Sequence, residues 1–269
     1  MRIGAVNYLN SKPLIHGLDE ATPNDRLLFD LPSRLADSLS AGRLDVALVP
    51  SVEWLRQPGH VIVSDACIAC RGPVLSVKMY FRKPPREVRT LALDEGSRTS
   101  AALAQILLEE LSGVRPETEP LPIGCGMEQT QADAVLLIGD RAILSADQDA
   151  LETWDLGQKW VEWTGLPFVF AAWVARPEVE TAEIEARLSA ARDRGVSRLR
   201  EIAAAEAPLL GIDTELALRY FRDNLHFTFG REEFAGLGRF ARLCARRGLV
   251  PKDADRAVAL MTPYGCSKQ

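Results

Sequence analysis

The feature that most constrains this chain is a repeated handover from apolar, strand-like runs to helix-like runs through its first two thirds. "RIGAVNY" reads as a buried strand and "SKPLIHGLDE" as the start of a helix, with Ser11 available as N-cap and Pro13 in the first turn. "DRLLFDLP" reads as a second strand. "SRLADSLSAGR" is an amphipathic helix with Ser33 as its expected N-cap and Gly42 near its end, and "LDVALVP" is a third strand. The third strand is apolar on both faces, as strands of a parallel sheet are. The order β-α-β-α-β predicts an α/β layered fold.

The pattern then shifts. "VIVSDACIAC" and "GPVLSVKMYFRK" are strand-like, and "PPREVRT" offers two prolines and three charges as a crossing between lobes. A second α/β unit follows: the strand "TLALDEG", the helix "SRTSAALAQILLEELSG" and the strand "ADAVLLIGD". Ala101, Ile106, Leu107 and Leu111 mark that helix's buried face. "GLPFVFAAWVAR" is a long strand-like run that can carry the chain back. Helical sequence follows, in "VETAEIEARLSAARDRGVSRLREIAAAEA", "TELALRYFRDNL" and "REEFAGLGRFARLCARRGL", and the closing "MTPYGCSKQ" is expected to fray. The expected organisation is a two-lobed clamp, with residues 1–85 and 172–269 in one lobe, residues 86–171 in the other, and a cleft between.

Composition narrows the function classes. A net charge of −5 lacks the basic excess of a nucleic-acid binder, although a site can be locally positive on an acidic protein. Five cysteines suit a reducing compartment better than a disulfide framework. Cys67 and Cys70 form one C-x-x-C, without the second pair that a zinc site wants, and are expected to be plain buried thiols. "MRIGAVNY" runs straight into a strand without the pattern of an export signal, and no apolar run reaches the ~18–20 residues of a membrane helix. A cytoplasmic protein, bound neither to membrane nor to nucleic acid, is expected. The sequence carries no signal for an oligomeric state.

Ligands of open α/β sheets bind beyond the carboxyl ends of the strands, so function is sought there. Those ends carry Asn10 and Ser11, Ser51, Ser76, the run Ser97, Arg98, Thr99 and Ser100, then Gly139 and Asp140, with Thr164 and Gly165 before the long strand. Hydroxyls, glycines and free N–H groups at helix N-termini suit carboxylates. Each residue has a structural alternative. "DEGSRTSAAL" can simply cap a helix, and Arg98 can clamp a carboxylate or face water. Asn10 can bind a ligand hydroxyl or close an Asx-turn, and Ser11 and Lys12 can cap or bind. Asp140 can be a base or a cap. His226 is expected as a packed histidine in the helical part. No Walker loop, G-x-G-x-x-G, H-E-x-x-H or G-x-S-x-G occurs, and three unclustered histidines do not build a metal site.

"GAVNYLNSKPL", "LDVALVPSVEW", "RGPVLSV", "DEGSRTSAAL", "LLIGDRA" and "DLGQKWVEWTGLPFVFAAWVAR" occur in one order. In these motifs the chain resembles the chorismate dehydratase family of the futalosine route to menaquinone, from Ile3 to about Leu249. The resemblance implies a type II periplasmic-binding-protein-like fold. It also implies loss of water from chorismate to give 3-[(1-carboxyvinyl)oxy]benzoate, with no cofactor. The sibling 1,4-dihydroxy-6-naphthoate synthases share the fold but tend to carry a Ser-Pro-Cys-Pro-Asn-type motif after strand one, where this chain has Asn-Tyr-Leu-Asn-Ser-Lys-Pro. On this reading Asn10 is the expected catalytic residue and the other strand-end residues bind substrate. No base stands out, so the substrate's own enolpyruvyl carboxylate is the expected proton acceptor. A non-catalytic carboxylate-binding protein of the same fold is the main rival.

Overall fold

The computed structural model describes residues 1–18, 26–57, 59–145 and 150–260. The closing segment 261–269, with Cys266, lies outside the described residues, as do Asp19, Glu20 and Asp25 at the edges of expected elements. The chain opens with β1 (Arg2–Ala5), a 3-10 turn (Leu9–Ser11) and α1 (Lys12–Ile15). Next come β2 (Arg26–Phe29), α2 (Pro32–Ser40), β3 (Val46–Pro50), α3 (Ser51–Arg56), β4 (Val61–Cys70) and β5 (Val77–Phe81). The second unit holds β6 (Thr90–Asp94), α4 (Arg98–Ser112), β7 (Glu117–Leu121), β8 (Ala134–Ile138), α5 (Asp140–Leu144), β9 (Glu152–Asp155) and α6 (Leu156–Thr164). The return runs through β10 (Phe168–Ala175), α7 (Ala182–Ser197), α8 (Leu199–Leu210), α9 (Thr214–Arg219), a π-helical turn (Tyr220–Asn224), β11 (His226–Thr228), α10 (Arg231–Arg247) and α11 (Ala254–Leu260).

Two sheets form, in the orders β11-β4-β10-β3-β1-β2 and β7-β6-β8-β5-β9. β1 pairs in parallel with β2 and β3, as the β-α-β-α-β order requires. β10 then inserts antiparallel between β3 and β4, making the sheet mixed. Alternation decides which side chain meets which core. In β8, Ala134, Leu136 and Ile138 join the main core, while Val135 and Leu137 pack with Tyr80 and Leu121 on the sheet's other face.

The sheets move the expected lobe boundaries. β5 lies in the second sheet between β8 and β9, so the chain crosses within residues 71–76 and not at "PPREVRT". β10 lies wholly in the first sheet, so the return is complete before residue 172. Boundaries at 85/86 and 171/172 would put β5 in the wrong lobe and cut β10 in two. The prolines at Pro84 and Pro85 instead start a short 3-10 turn inside the second unit.

Three local expectations also change. Ser33 is not an N-cap: Pro32, whose φ is preset for a first helical position, starts α2 and leaves Leu31 as the cap. His226 lies in β11, not in a helix, because the "HFT" stretch pairs along β4. The long helical run after β10 breaks at Arg198 into α7 and α8. Cys67 and Cys70 end β4 as buried thiols, and burial pushes Cys70 up to about 12.

The first turn of the chain is pinned from outside by α7. An added Cβ on Gly195 would stand 1.9 Å from the Pro13 carbonyl oxygen, so only glycine lets α7 seat against α1. Gly195→Ala is expected to cost about 1–3 kcal/mol, the usual penalty of overpacking, as read by urea unfolding. Asp45 ties the other end of the sheet. It accepts from Arg2 N at 2.8 Å, Arg2 Nη2 at 2.6 Å and Arg176 Nη2 at 3.0 Å. The Arg2 side-chain hydrogen bond, more than any other contact, holds this carboxyl well below the usual carboxylate range. A depressed folded value means stabilisation that is full above the unfolded value of about 3.9 and is lost as pH falls through the folded one. Asp45→Asn should therefore lower the Tm at neutral pH, and the gap to wild type should close in strong acid.

Candidate active site

A cavity lies where the two sheets face each other. The first lobe contributes Val6, Tyr8 and Asn10 after β1, Pro50 at the end of β3, and Ile68 and Phe170 from β4 and β10. The second contributes Ser76, Ser97, Ser100 and Gly139, which follow or precede its strands. This is the strand-end position expected of an open α/β sheet.

The opening motif folds through its own hydrogen bonds. Ser11 is fully buried, and its hydroxyl lies within donating distance of Val6 O at 2.5 Å and Tyr8 O at 2.8 Å. Its side chain makes no helix cap, and it does not line the cavity. Lys12 pairs with Glu206 at 2.9 Å. The turn thereby leaves Asn10 facing the cavity, with its Oδ1 buried and without a partner. Ser76 Oγ and the Tyr220 hydroxyl are buried and unpartnered as well. Burial pushes the Tyr220 hydroxyl upward in pKa, and the Ser76 and Asn10 side chains are the neighbours that pull it back. Neither makes a hydrogen bond of proper length and angle with it. A buried polar atom left unmet costs about 1–3 kcal/mol, so the Asn10 and Ser76 oxygens in the cavity lining mark a place for a polar ligand.

The "DEGSRTSAAL" run divides by helical position. Ser97 caps α4, with its Oγ accepting from Ser100 N at 3.3 Å, and both serines line the cavity one turn apart. Arg98 and Thr99 point the other way and tie the lobes together. Arg98 forks onto Asp37 at 2.8 and 3.0 Å and reaches Glu53 at 3.2 Å. Thr99 Oγ1 accepts from Val52 N at 3.1 Å and lies 3.4 Å from Ser51 Oγ, which donates to Val169 O at 2.7 Å. Arg98, Thr99 and Ser51 thus spend their polar groups on protein partners.

Asp140 follows Gly139, the N-cap of α5, and is itself no cap. Its Oδ1 accepts from Leu9 N, in the opposite lobe, at 3.1 Å. Burial raises its pKa, and the Leu9 bond and Lys12 oppose the rise. Gly139 lines the cavity beneath the Tyr8 ring. Thr164 and Gly165 sit elsewhere, ending α6. Thr164 Oγ1 donates to Trp160 O at 2.7 Å and accepts from Leu166 N at 3.2 Å, and Gly165 is the left-handed C-cap. The sequence-expected residues that line the cavity are therefore Asn10, Ser76, Ser97, Ser100 and Gly139. Sequence reasoning missed Tyr220, because a π-helical turn inside a helical run leaves no periodic signal, and it missed the apolar walls, whose residues read as ordinary core.

Among the described residues, those lining the cavity carry no carboxylate, imidazole, thiol or cationic side chain. No cluster of three His, Cys, Asp or Glu side chains placed to hold a metal occurs among them either. No helix of the described residues is long and apolar enough to cross a membrane. What the site can do is hold a small polar ligand by hydroxyl, amide and helix N-terminal groups inside apolar walls.

Comparison with known proteins agrees with this architecture. The chain is 34% identical over 259 residues to a chorismate dehydratase of Thermus thermophilus, covering 89% of this chain and 93% of the relative. Protein AF1704 from Archaeoglobus fulgidus superposes with a TM-score of 0.69 at 15% identity, over 93% of this chain and 98% of that one. The periplasmic aliphatic sulphonate binding protein SsuA from Escherichia coli superposes with a TM-score of 0.63 at 16% identity, over 100% of this chain and 94% of that one. The fold is therefore that of the periplasmic binding proteins. A family model described as menaquinone biosynthesis matches residues 1–246, and on this match and the Thermus relative the chain belongs to the menaquinone biosynthesis family of the chorismate dehydratases.

Proposed function

We propose that the cavity binds chorismate and removes water from it, giving 3-[(1-carboxyvinyl)oxy]benzoate, a hydro-lyase reaction in menaquinone biosynthesis. Family membership supports the reaction. The observation that supports the place is the pair of unmet oxygens of Asn10 and Ser76 in the cavity lining between the lobes, with the Tyr220 hydroxyl beside them.

The chemistry asks for three things. The proton at C3 must leave, and the resulting anion spreads through the ring toward its carboxylate. The C4 hydroxyl then departs, taking up a proton to become water, and the ring becomes aromatic. Donors placed where charge develops stabilise such an anion. Ser97, Ser100 and the N-terminus of the 15-residue helix α4 suit a carboxylate. Asn10 can both donate and accept, so it suits the C4 hydroxyl. The lining offers no carboxylate or imidazole as base. The substrate's enolpyruvyl carboxylate takes that part on this reading, and the protein's contribution is to hold it near C3. On this reading neither Asp140, whose Oδ1 accepts from Leu9 N, nor Glu95, exposed outside the cavity, serves as the base. A cytoplasmic location fits the unpaired thiols of Cys67, Cys70, Cys125 and Cys244 and a biosynthetic step.

Incubation with chorismate, followed by the absorbance of an aromatic product, tests the reaction; binding without turnover would favour a carboxylate-binding protein. Asn10→Ala should lower kcat by about 10²-fold or more, the scale of losing a transition-state hydrogen bond, with the Tm unchanged. Turnover close to wild type would remove Asn10 from the chemistry. Asp140→Asn and Glu95→Gln should each keep most of the turnover. Loss of turnover with binding intact in either variant would point to a protein base.

A further inference from the structure

The Ser76 hydroxyl stands at the end of the segment that carries the chain from β4 to β5, and the backbone around it is fastened on several sides. Asn224 Nδ2 donates to Pro73 O at 2.9 Å, from the same π-helical turn that carries Tyr220. Ser76 N donates to Val74 O at 2.7 Å, and Gly139 N donates to Ser76 O at 2.8 Å. Among the described residues, Leu75 alone of the non-glycine residues has a positive φ, at 63°. The Ser76 N–H to Val74 O bond closes a three-residue turn around it, the rare and strained form of the γ-turn. A leucine keeps this left-handed conformation only where its surroundings over-determine it.

Asp155 supplies that constraint. Its Oδ2 accepts from Leu75 N at 2.7 Å, and its Oδ1 accepts from Val74 N at 2.9 Å and from Gln158 N at 3.0 Å. One carboxylate thus caps α6 and grips two consecutive N–H groups of the turn. Gly157 lets this happen at close range: an added Cβ would lie 2.6 Å from Cys70 Sγ and 2.8 Å from Gly72 O. The start of α6 is seated directly on the crossing.

We propose that Asp155 is a positioning residue for the elimination: by holding the Val74–Leu75 turn in its strained form, it fixes the Ser76 hydroxyl in the cavity beside Asn10. Asp155 does not line the cavity, so it acts through Ser76. The proposal rests on the reading of the cavity as the chorismate site.

Asp155→Ser separates the two tasks of this carboxylate. Serine still caps α6 but lacks the second oxygen that grips the turn. The expected result is a near-native Tm, a KM close to wild type and a kcat lower by about 10–100-fold, the scale of a small misplacement of a reacting group. The same substitution made on a Leu75→Gly background should cost far less, because glycine takes a positive φ without a Cβ penalty. A kcat near wild type in Asp155→Ser, or an equal cost on both backgrounds, would overturn the proposal. Amide exchange at Val74 and Leu75, measured without substrate, should quicken in Asp155→Ser, and unchanged exchange would also overturn it. A wild-type protein that leaves chorismate untouched would sink the chorismate reading and Asp155's part in it, while faster exchange in the variant would still identify the clamp.

Discussion

The crossing at residues 71–76 is the constraint on which the cleft depends, because it sets how the first sheet meets the second and ends on a residue of the cavity. Its first residue is anchored on a fully buried carboxylate: Glu233 Oε1 accepts from Arg71 Nη2 at 2.9 Å and Nε at 3.0 Å. Glu233 also caps α10 by accepting from Gly230 N at 3.1 Å, and His226 Nε2 stands 3.5 Å away. A buried carboxylate is expensive unless paired and hydrogen-bonded, and Arg71 and Gly230 N supply those partners here. The return crossing is set in aromatic packing. Trp160 donates to Pro167 O at 3.1 Å, and the Phe168 ring packs against those of Trp160, Phe170 and Phe240.

Beside the two crossings, specific hydrogen bonds span the cleft. Asp140 to Leu9 N, Thr99 to Val52 N and Arg98 to Asp37 and Glu53 each join one lobe to the other near the cavity. The cavity between them is neutral in its side chains and largely apolar in its walls. Hydrogen bonds from hydroxyls and a helix N-terminus are stronger in such surroundings than in water, and an unmet partner is costlier. A site of this kind can bind an anionic substrate without a lining cation.

Much of this was legible in the sequence. The strands β3, β8 and β10 are continuous apolar runs and β1 and β6 have apolar centres, so their existence and the α/β class follow from pattern alone. Asn10, Ser76, Ser97 and Ser100 were legible because strand ends are where α/β ligands sit. β7 was not, since "ETEPL" is polar, exposed and carries a proline; it is a strand because β6 offers it an edge. The lobe boundary was misplaced for a related reason. Prolines and charges mark a turn, but only pairing with β8 and β9 shows that β5 has already changed sheets.

The sequence by itself determined the layered α/β class, the polar strand ends and the motifs that carry the family. Local pattern suffices for these, because periodicity and residue type act within a few residues. Only the tertiary structure decided which polar groups remain free for a ligand. Ser11, Ser51, Arg98, Thr99, Asp140 and Thr164 look no different in sequence from Asn10 and Ser76, yet they are bound to backbone or to the opposite lobe, while the Asn10 and Ser76 oxygens are without a partner. Whether a hydroxyl or a carboxylate is spent or available depends on which distant groups the fold brings within about 3 Å of it, and that information is not local.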